Sequence, residues 1–396
     1  MKVLVSGYYG LGNTGDEAVL DGLLHSLRLA DQASGGAPSL QVTVLSADPG
    51  QTERLHGVEA IERTRLLPIW RALREADLFI SGGGGLLQDV TSRRSPFYYL
   101  TLIEMAHMAG TPVYLYAQGV GPLSSPAVLR AARAILPRAA GAGARDELSA
   151  LLLKRLGMSE EKVQVTADAA FGLEPPSEVA RSAILEELAL PFGRFPLVGV
   201  VWRPPLRRSA SDLLSRVARA VAHLAGATGA GVVVMSFHPR VDRGPSRELA
   251  RAIAEERPEV PVFVPSIRFE HRRWLALTAA LDFAVTVRYH GLAFAAIGGV
   301  PALAVAYDPK VSSLAQRLGL PWLPVDAEAD QLLEAVWSAW ERSEELAQAL
   351  PAKVAELRAA ALAEGRRCLE IAGARVSGAR LKEPGRAQNF RAGGPE

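Results

Sequence analysis

From its first residues the chain alternates short apolar runs with stretches in which apolar positions recur every three or four residues. Strands and helices taking turns in this way predict right-handed βαβ crossovers and a parallel sheet, hence an α/β fold. In the first half the runs predict strands at residues 3–8, 42–46, 78–81, 113–117 and 163–166. Between the first two, Thr14 and Glu17 have the spacing of a capping box, and Leu20, Leu23, Leu24 and Leu27 form the apolar stripe of the helix that follows. Proline and glycine gather at residues 172–176 and again at 191–196, which marks a domain boundary. The pattern then restarts, with strands predicted at 197–202, 231–237, 260–264, 283–287 and 302–306, and a long helical region after Asp330. The expectation is two Rossmann-like domains, residues 1–175 and 194–372, with a disordered tail at 373–396 where the apolar period fails.

Composition narrows the classes of function. A chain of 396 residues with 49 % hydrophobic and 22 % charged residues is long enough for two ordinary cores. A net charge of +2 provides no general field for nucleic acid, so any anion must be held locally. One cysteine, Cys368, excludes an internal disulfide and points to a reducing compartment, with the cytoplasm as the default. No apolar run approaches the ~20 residues of a spanning helix, so membrane contact is expected to be peripheral at most. There is no HExxH, DxD or CxxC, and the histidines are dispersed, so no metal and no resident cofactor are expected.

The candidate chemistry sits at predicted strand ends, where open parallel sheets bind ligands. The strand at 283–287 delivers Arg288 and His290 beside a helix start near Gly291, which would add backbone N–H donors. A surface ion pair for Arg288 and a packed ring for His290 are the alternative. Arg203 and His238 end two other predicted strands, so two arginines and two histidines would share one sheet edge and suit a small, multiply charged acid. On the first domain, the opening turn spaces its glycines as G-x-x-G-x-G, which is not the dinucleotide fingerprint, and no GxxxxGK[ST] loop occurs. Asn13 and Asp16 there offer hydrogen bonds to a polar ligand, or simply serve the turn and the first helical turn. The run Gly82-Gly83-Gly84-Gly85 either lets a ligand approach the main chain or lets a helix pack on the sheet. Gln88 and Asp89 follow it within reach of sugar hydroxyls.

Taken in order, G-Y-Y-G-L-G-N-T-G-D-E, I-S-G-G-G-G-L-L-Q-D-V-T-S, Y-A-Q-G-V-G-P, R-D-E, T-A-D-A-A-F, R-Y-H-G-L and Y-D-P-K resemble the polysaccharide pyruvyl transferase family, especially its CsaB-type members. The resemblance implies a GT-B-like pair of domains with the site in the cleft between them. It implies phosphoenolpyruvate as donor and a sugar diol as acceptor, in the CsaB case on a lipid-linked precursor containing N-acetylmannosamine, giving a pyruvate ketal that helps anchor surface-layer proteins. Arg288, with Arg203, His290 and Gly291, would hold the donor; His290 would be the general acid, and His238 and Asp16 possible bases. Asn13, Gly82, Gly83, Gly84, Gln88 and Asp89 would hold the acceptor. Two other readings stay open: a GT-B glycosyltransferase using a nucleotide sugar, and a non-catalytic polysaccharide-binding protein.

Overall fold

The computed structural model describes the chain except residues 35–39, 91, 93, 191–192, 194, 205–211, 268–269 and 381–396, and the side chains of 376–380. The first domain is a parallel sheet of β1 (Lys2–Ser6), β2 (Gln41–Ser46), β3 (Glu59–Glu62), β4 (Leu78–Ser81), β5 (Gly84–Leu87), β6 (Val113–Val120), β7 (Gly141–Ala144) and β8 (Val163–Val165). Their spatial order is β3-β2-β1-β4-β6-β7-β8, with β5 paired to the far end of β6. The second domain holds β9 (Leu197–Val201), β10 (Gly231–Met235), β11 (Val262–Phe263), β12 (Phe283–Thr286), β13 (Ala302–Ala306) and β14 (Trp322–Pro324), in the order β11-β10-β9-β12-β13-β14. Every ladder is parallel and both orders reverse about the first strand of the sheet, so each domain has a crevice at the carboxyl ends of its strands.

Among the described residues the ten expected strands are all present, those at 78–81 and 302–306 with the expected bounds and the others with shifted ends, and four more escape the hydrophobic pattern. β7 is Gly-Ala-Gly-Ala, because bulk is supplied from outside: a Cβ on Gly143 would lie 1.8 Å from the Glu364 carboxylate, and one on Gly141 3.0 Å from the Tyr114 ring. β3 and β14 are edge strands with little to bury, and β5 begins inside the glycine run.

The helix Thr14–Ala33 carries its stripe as expected, with Leu20, Leu23, Leu24 and Leu27 all buried, each contributing about 1.5–3 kcal/mol of transfer free energy. Its cap is not the expected Thr14–Glu17 box. Asn13 is the N-cap, accepting the Gly15 N–H, while Glu17 is buried and takes the Gly10 N–H at 2.9 Å and His56 Nε2 at 3.1 Å. The core that this helix enters is continuous with Phe237, Trp274 and Phe294 of the second domain. The domains are therefore joined by packed apolar surface below the cleft.

The C-terminal part departs from expectation in two ways. The helix Ser343–Arg380 leaves the second sheet and lies on the first domain, where Glu364 accepts the Tyr114 hydroxyl and the Ala360 carbonyl accepts the Thr166 hydroxyl. It runs unbroken through Arg380, past the expected start of the tail at 373; the rest of that tail, 381–396, lies outside the described residues. Among the described residues no helix is long and apolar enough to cross a membrane.

Candidate active site

A cavity of about 570 Å³ opens where the two crevices face each other. The second domain contributes Arg203, His238, Arg288, Tyr289, His290 and Lys310, and the first contributes Tyr8, Asn13, Asp16, Gly85, Gln88, Ser95, Tyr99 and Arg145. The seam at its base is tied by polar bonds: Thr14 N–H donates to the Phe237 carbonyl at 2.9 Å, and Arg317 donates to the carbonyls of Arg145 and Thr166 at 2.9 and 3.0 Å.

Arg288 follows β12 and is the N-cap of the helix Tyr289–Ile297. Thr286 fixes this corner, accepting the Arg288 N–H at 3.2 Å and donating its hydroxyl to the Arg288 carbonyl at 2.9 Å. The guanidinium pairs with the fully buried Asp242, and its Nε has no hydrogen-bond partner. Asp242 also accepts the His238 N–H at 2.9 Å, so one carboxylate sets Arg288 and the start of the helix Pro239–Glu256. Sequence reasoning missed Asp242, which had only its place four residues after His238 to signal it. Burial, with Arg288 nearby, lowers the pKa of His238 and so favours its neutral ring. Arg203 lines the same wall and has no ion-pair partner among the described residues. Gly291 does not line it: a Cβ there would come within 2.3 Å of Thr286 Oγ1 and 2.8 Å of Val201, so this glycine lets the helix close onto the sheet.

His290 reaches across the seam. Its Nε2 is buried and faces Asp168 Oδ1 at 3.6 Å, and its ring lies so close to Gly15 that a Cβ there would sit 2.1 Å from Nδ1. Asp168 caps the short turn Ala169–Gly172 and lies 3.6 Å from Arg145 Nη1. Burial alone would raise its pKa, but His290 and Arg145 hold it below the usual carboxylate value. Arg145 is buried, stacks on Tyr289 at 4.6 Å and pairs with Asp146, the N-cap of the helix Glu147–Arg155. Burial pushes the Asp16 carboxyl up to about 6, with His290 and Arg288 lowering it and Glu17 and Asp168 raising it. Asp16 thus opens onto the cavity as an acid–base group near neutrality.

The residues expected to hold the acceptor are placed differently from one another. Gly82 and Gly83 face inward, where a Cβ would meet the Tyr9 hydroxyl at 2.3 Å or Val19 at 2.8 Å, and Gly84 has a positive φ of 93° that only glycine adopts freely. Only the fourth glycine, Gly85, lines the cavity, with nothing within 4 Å of an added Cβ. Asp89 is buried and accepts the N–H groups of Ser124 and Ser125 and the Ser124 hydroxyl, so it holds a loop and has no capacity left for a sugar. Asn13 lines the cavity, but its carbonyl caps Gly15 and its amide donates to Asp16. Gln88 lines it as expected. Tyr8 and Tyr99, unnoticed in the sequence, add aromatic surface, with Arg63 stacked on Tyr98 at 4.4 Å behind them. Among the described residues no cluster of three His, Cys, Asp or Glu side chains is arranged to hold a metal.

Residues 13–309 match the family described as polysaccharide pyruvyl transferase. A curated relative, the amylovoran biosynthesis protein AmsJ of Erwinia amylovora, is 23 % identical over 388 residues, covering 83 % of this chain and 89 % of its own. Among solved structures, the UDP-GlcNAc 2-epimerase of Methanocaldococcus jannaschii superposes with a TM-score of 0.64 at 12 % identity, covering 94 % of this chain and 100 % of that one. Anabaena Alr3699/HepE in complex with UDP-glucose does so with 0.59 at 14 %, covering 96 % and 100 %. At such identities the likeness is one of fold, the two-domain GT-B arrangement.

Proposed function

The chain belongs to the polysaccharide pyruvyl transferase family and is an enzyme of polysaccharide biosynthesis, and from that premise we propose that phosphoenolpyruvate is its donor and a vicinal or 1,3-diol of a lipid-linked, N-acetylmannosamine-containing cell-wall precursor its acceptor. The observation that carries the reading is Arg288, held by the buried Asp242 and lining a cavity that also holds Arg203, Lys310 and His238. A planar, fixed cation of this kind suits a carboxylate or phosphate, and a three-carbon phosphorylated acid presents both.

The chemistry then follows from what is placed around the donor. His290, as imidazolium, gives a proton to the methylene carbon, whose π pair becomes the new C–H bond and leaves an oxocarbenium-like centre at C2. One acceptor hydroxyl bonds C2 and passes its proton to Asp16. Phosphate departs with the C–O pair and takes that proton, which regenerates the centre; the second hydroxyl closes the ketal and returns its proton to His290. The cationic wall stabilises the leaving phosphate. Gly85, Gln88, Tyr8 and Tyr99 receive the acceptor. An S-layer-anchoring role and work at the inner face of the membrane would follow from that acceptor.

The test is direct. Purified protein given phosphoenolpyruvate and a diol acceptor releases phosphate and forms a ketal methyl signal by proton NMR. Release of UDP from UDP-sugars with no ketal would replace this reading with glycosyl transfer, the reaction class that the nucleotide sugar bound in Alr3699/HepE brings to mind.

A further inference from the structure

His290 has two ring nitrogens, and the seam between the domains gives them different surroundings. Nε2 is buried with no hydrogen-bond partner, opposite Asp168 of the first domain. Nδ1 lies beside Gly15, in a ring that lines the cavity. We propose that Asp168 is a positioning residue that holds the Nε2 hydrogen of His290 across the seam, so that Nδ1 is the nitrogen that delivers and recovers the proton.

The geometry supports this from three directions. Asp168 is 1 % exposed, and its Oδ2 is itself buried without a hydrogen-bond partner, so the carboxylate has capacity that the fold does not use. Arg145, 3.6 Å from Oδ2, and the Ala170 N–H, which donates at 3.1 Å to Oδ1, the oxygen that His290 faces, keep it charged. The gap of 3.6 Å to His290 exceeds a hydrogen bond by about half an ångström, and such contacts commonly tighten when a ligand draws two domains together. Once Nδ1 has given its proton to the methylene carbon, the neutral imidazole that remains carries its hydrogen on Nε2, and Asp168 stays a carboxylate throughout. Because Asp168 and His290 belong to different domains, the acid is oriented only where the two meet. This also explains why Gly15 has no side chain: a methyl group would displace the ring.

The inference rests on the pyruvyl-transfer reading of His290, and the experiment separates the two. Asp168→Asn should lower kcat by about 10²-fold or more while KM for phosphoenolpyruvate changes by less than about threefold. In a His290→Ala background the same change should cost almost nothing. A full cost in that background would mean that Asp168 serves only the turn or Arg145, and would overturn the proposal. If Asp168→Asn fails to fold, the wild-type protein still decides: nitrogen-15 spectra of labelled histidine should show His290 as the Nε2–H tautomer when neutral, and an Nδ1–H tautomer would refute the pairing. Should the wild type not consume phosphoenolpyruvate at all, the functional reading fails, while the tautomer still reports on Asp168 and His290.

Discussion

On the second domain the cavity wall carries the charged side chains of Arg203, Arg288 and Lys310, and Arg288 is braced from behind by Asp242. Across the gap, on the first domain, the wall is made largely of aromatic rings, uncharged side chains and main chain, as at Tyr8, Tyr99, Gln88, Ser95 and Gly85, with Asp16 and Arg145 as its charged members, and the polar groups of Asn13 and of Asp89, between the lining residues Gln88 and Val90, are spent on holding main chain in place. The difference fits the two substrates proposed. A small anion is gripped by a few fixed charges, whereas a large, neutral sugar needs room and shape. It also sorts the residues by how they fail: those on the second wall should lose chemistry, and those on the first should lose either fold or room.

The largest effect is expected at Arg288. Arg288→Ala should reduce kcat/KM for phosphoenolpyruvate by at least about 10²-fold, and by leaving Asp242 buried and unpaired it should also destabilise the protein by about 3–5 kcal/mol. Adding Asp242→Asn separates the two. Melting temperature should recover while activity does not, and recovery of both would show that the arginine is structural.

Asp16 comes next, and its sign can be worked out. Its carboxyl titrates at about 6 in the folded protein against 3.8 for the ordinary group, so between those values the folded state binds more protons than the unfolded one. Stability from this group is therefore full at low pH and falls as pH rises from about 4 to 6. Asp16→Asn should remove that loss and melt a few degrees higher than wild type at pH 7–8, with equal melting near pH 4, while turnover drops about 10²-fold. A variant less stable than wild type at pH 8 would contradict the burial that raises this carboxyl.

How much of this was legible in the chain depended on whether a residue's role is local. Arg288 and His290 could be placed because an apolar run ends beside them, and the end of a parallel strand is a defined location. The helix at Thr14–Ala33 announced its stripe but not its cap, since Asn13 and Thr14 are both capping residues and only the turn's backbone chooses between them. Asp168 could be placed in the same way as Arg288, in the T-A-D-A-A-F motif at the end of a predicted strand, but its partner 122 residues away could not, and Asp242 gave no signal because what it does is set by Arg288, 46 residues away. β7 was invisible because the bulk that packs on its glycines comes from Glu364 and Tyr114. The helix Ser343–Arg380 was legible as a helix, but nothing in its own pattern says which domain it covers. The glycine run was the instructive case: four identical residues had to be read alike, and the fold uses them for three different purposes.

Gly82 and Gly85 therefore make the finest test of the comparison. Gly82→Ala puts a methyl group against the buried Tyr9 hydroxyl and within 2.8 Å of the Ser6 carbonyl, neither of which can retreat, so about 1–3 kcal/mol of overpacking is expected. It should appear as a lower melting temperature, with KM values close to wild type in whatever fraction folds. Gly85→Ala meets nothing within 4 Å and points the same methyl group into the cavity. Its melting temperature should match wild type, its KM for phosphoenolpyruvate should not move, and its KM for the acceptor should rise by about 3–10-fold, the equivalent of 1 kcal/mol or so of lost fit. If instead Gly85→Ala weakened the donor and spared the acceptor, the two walls would have to exchange substrates, and the assignment of the sugar to the first domain would fall with them.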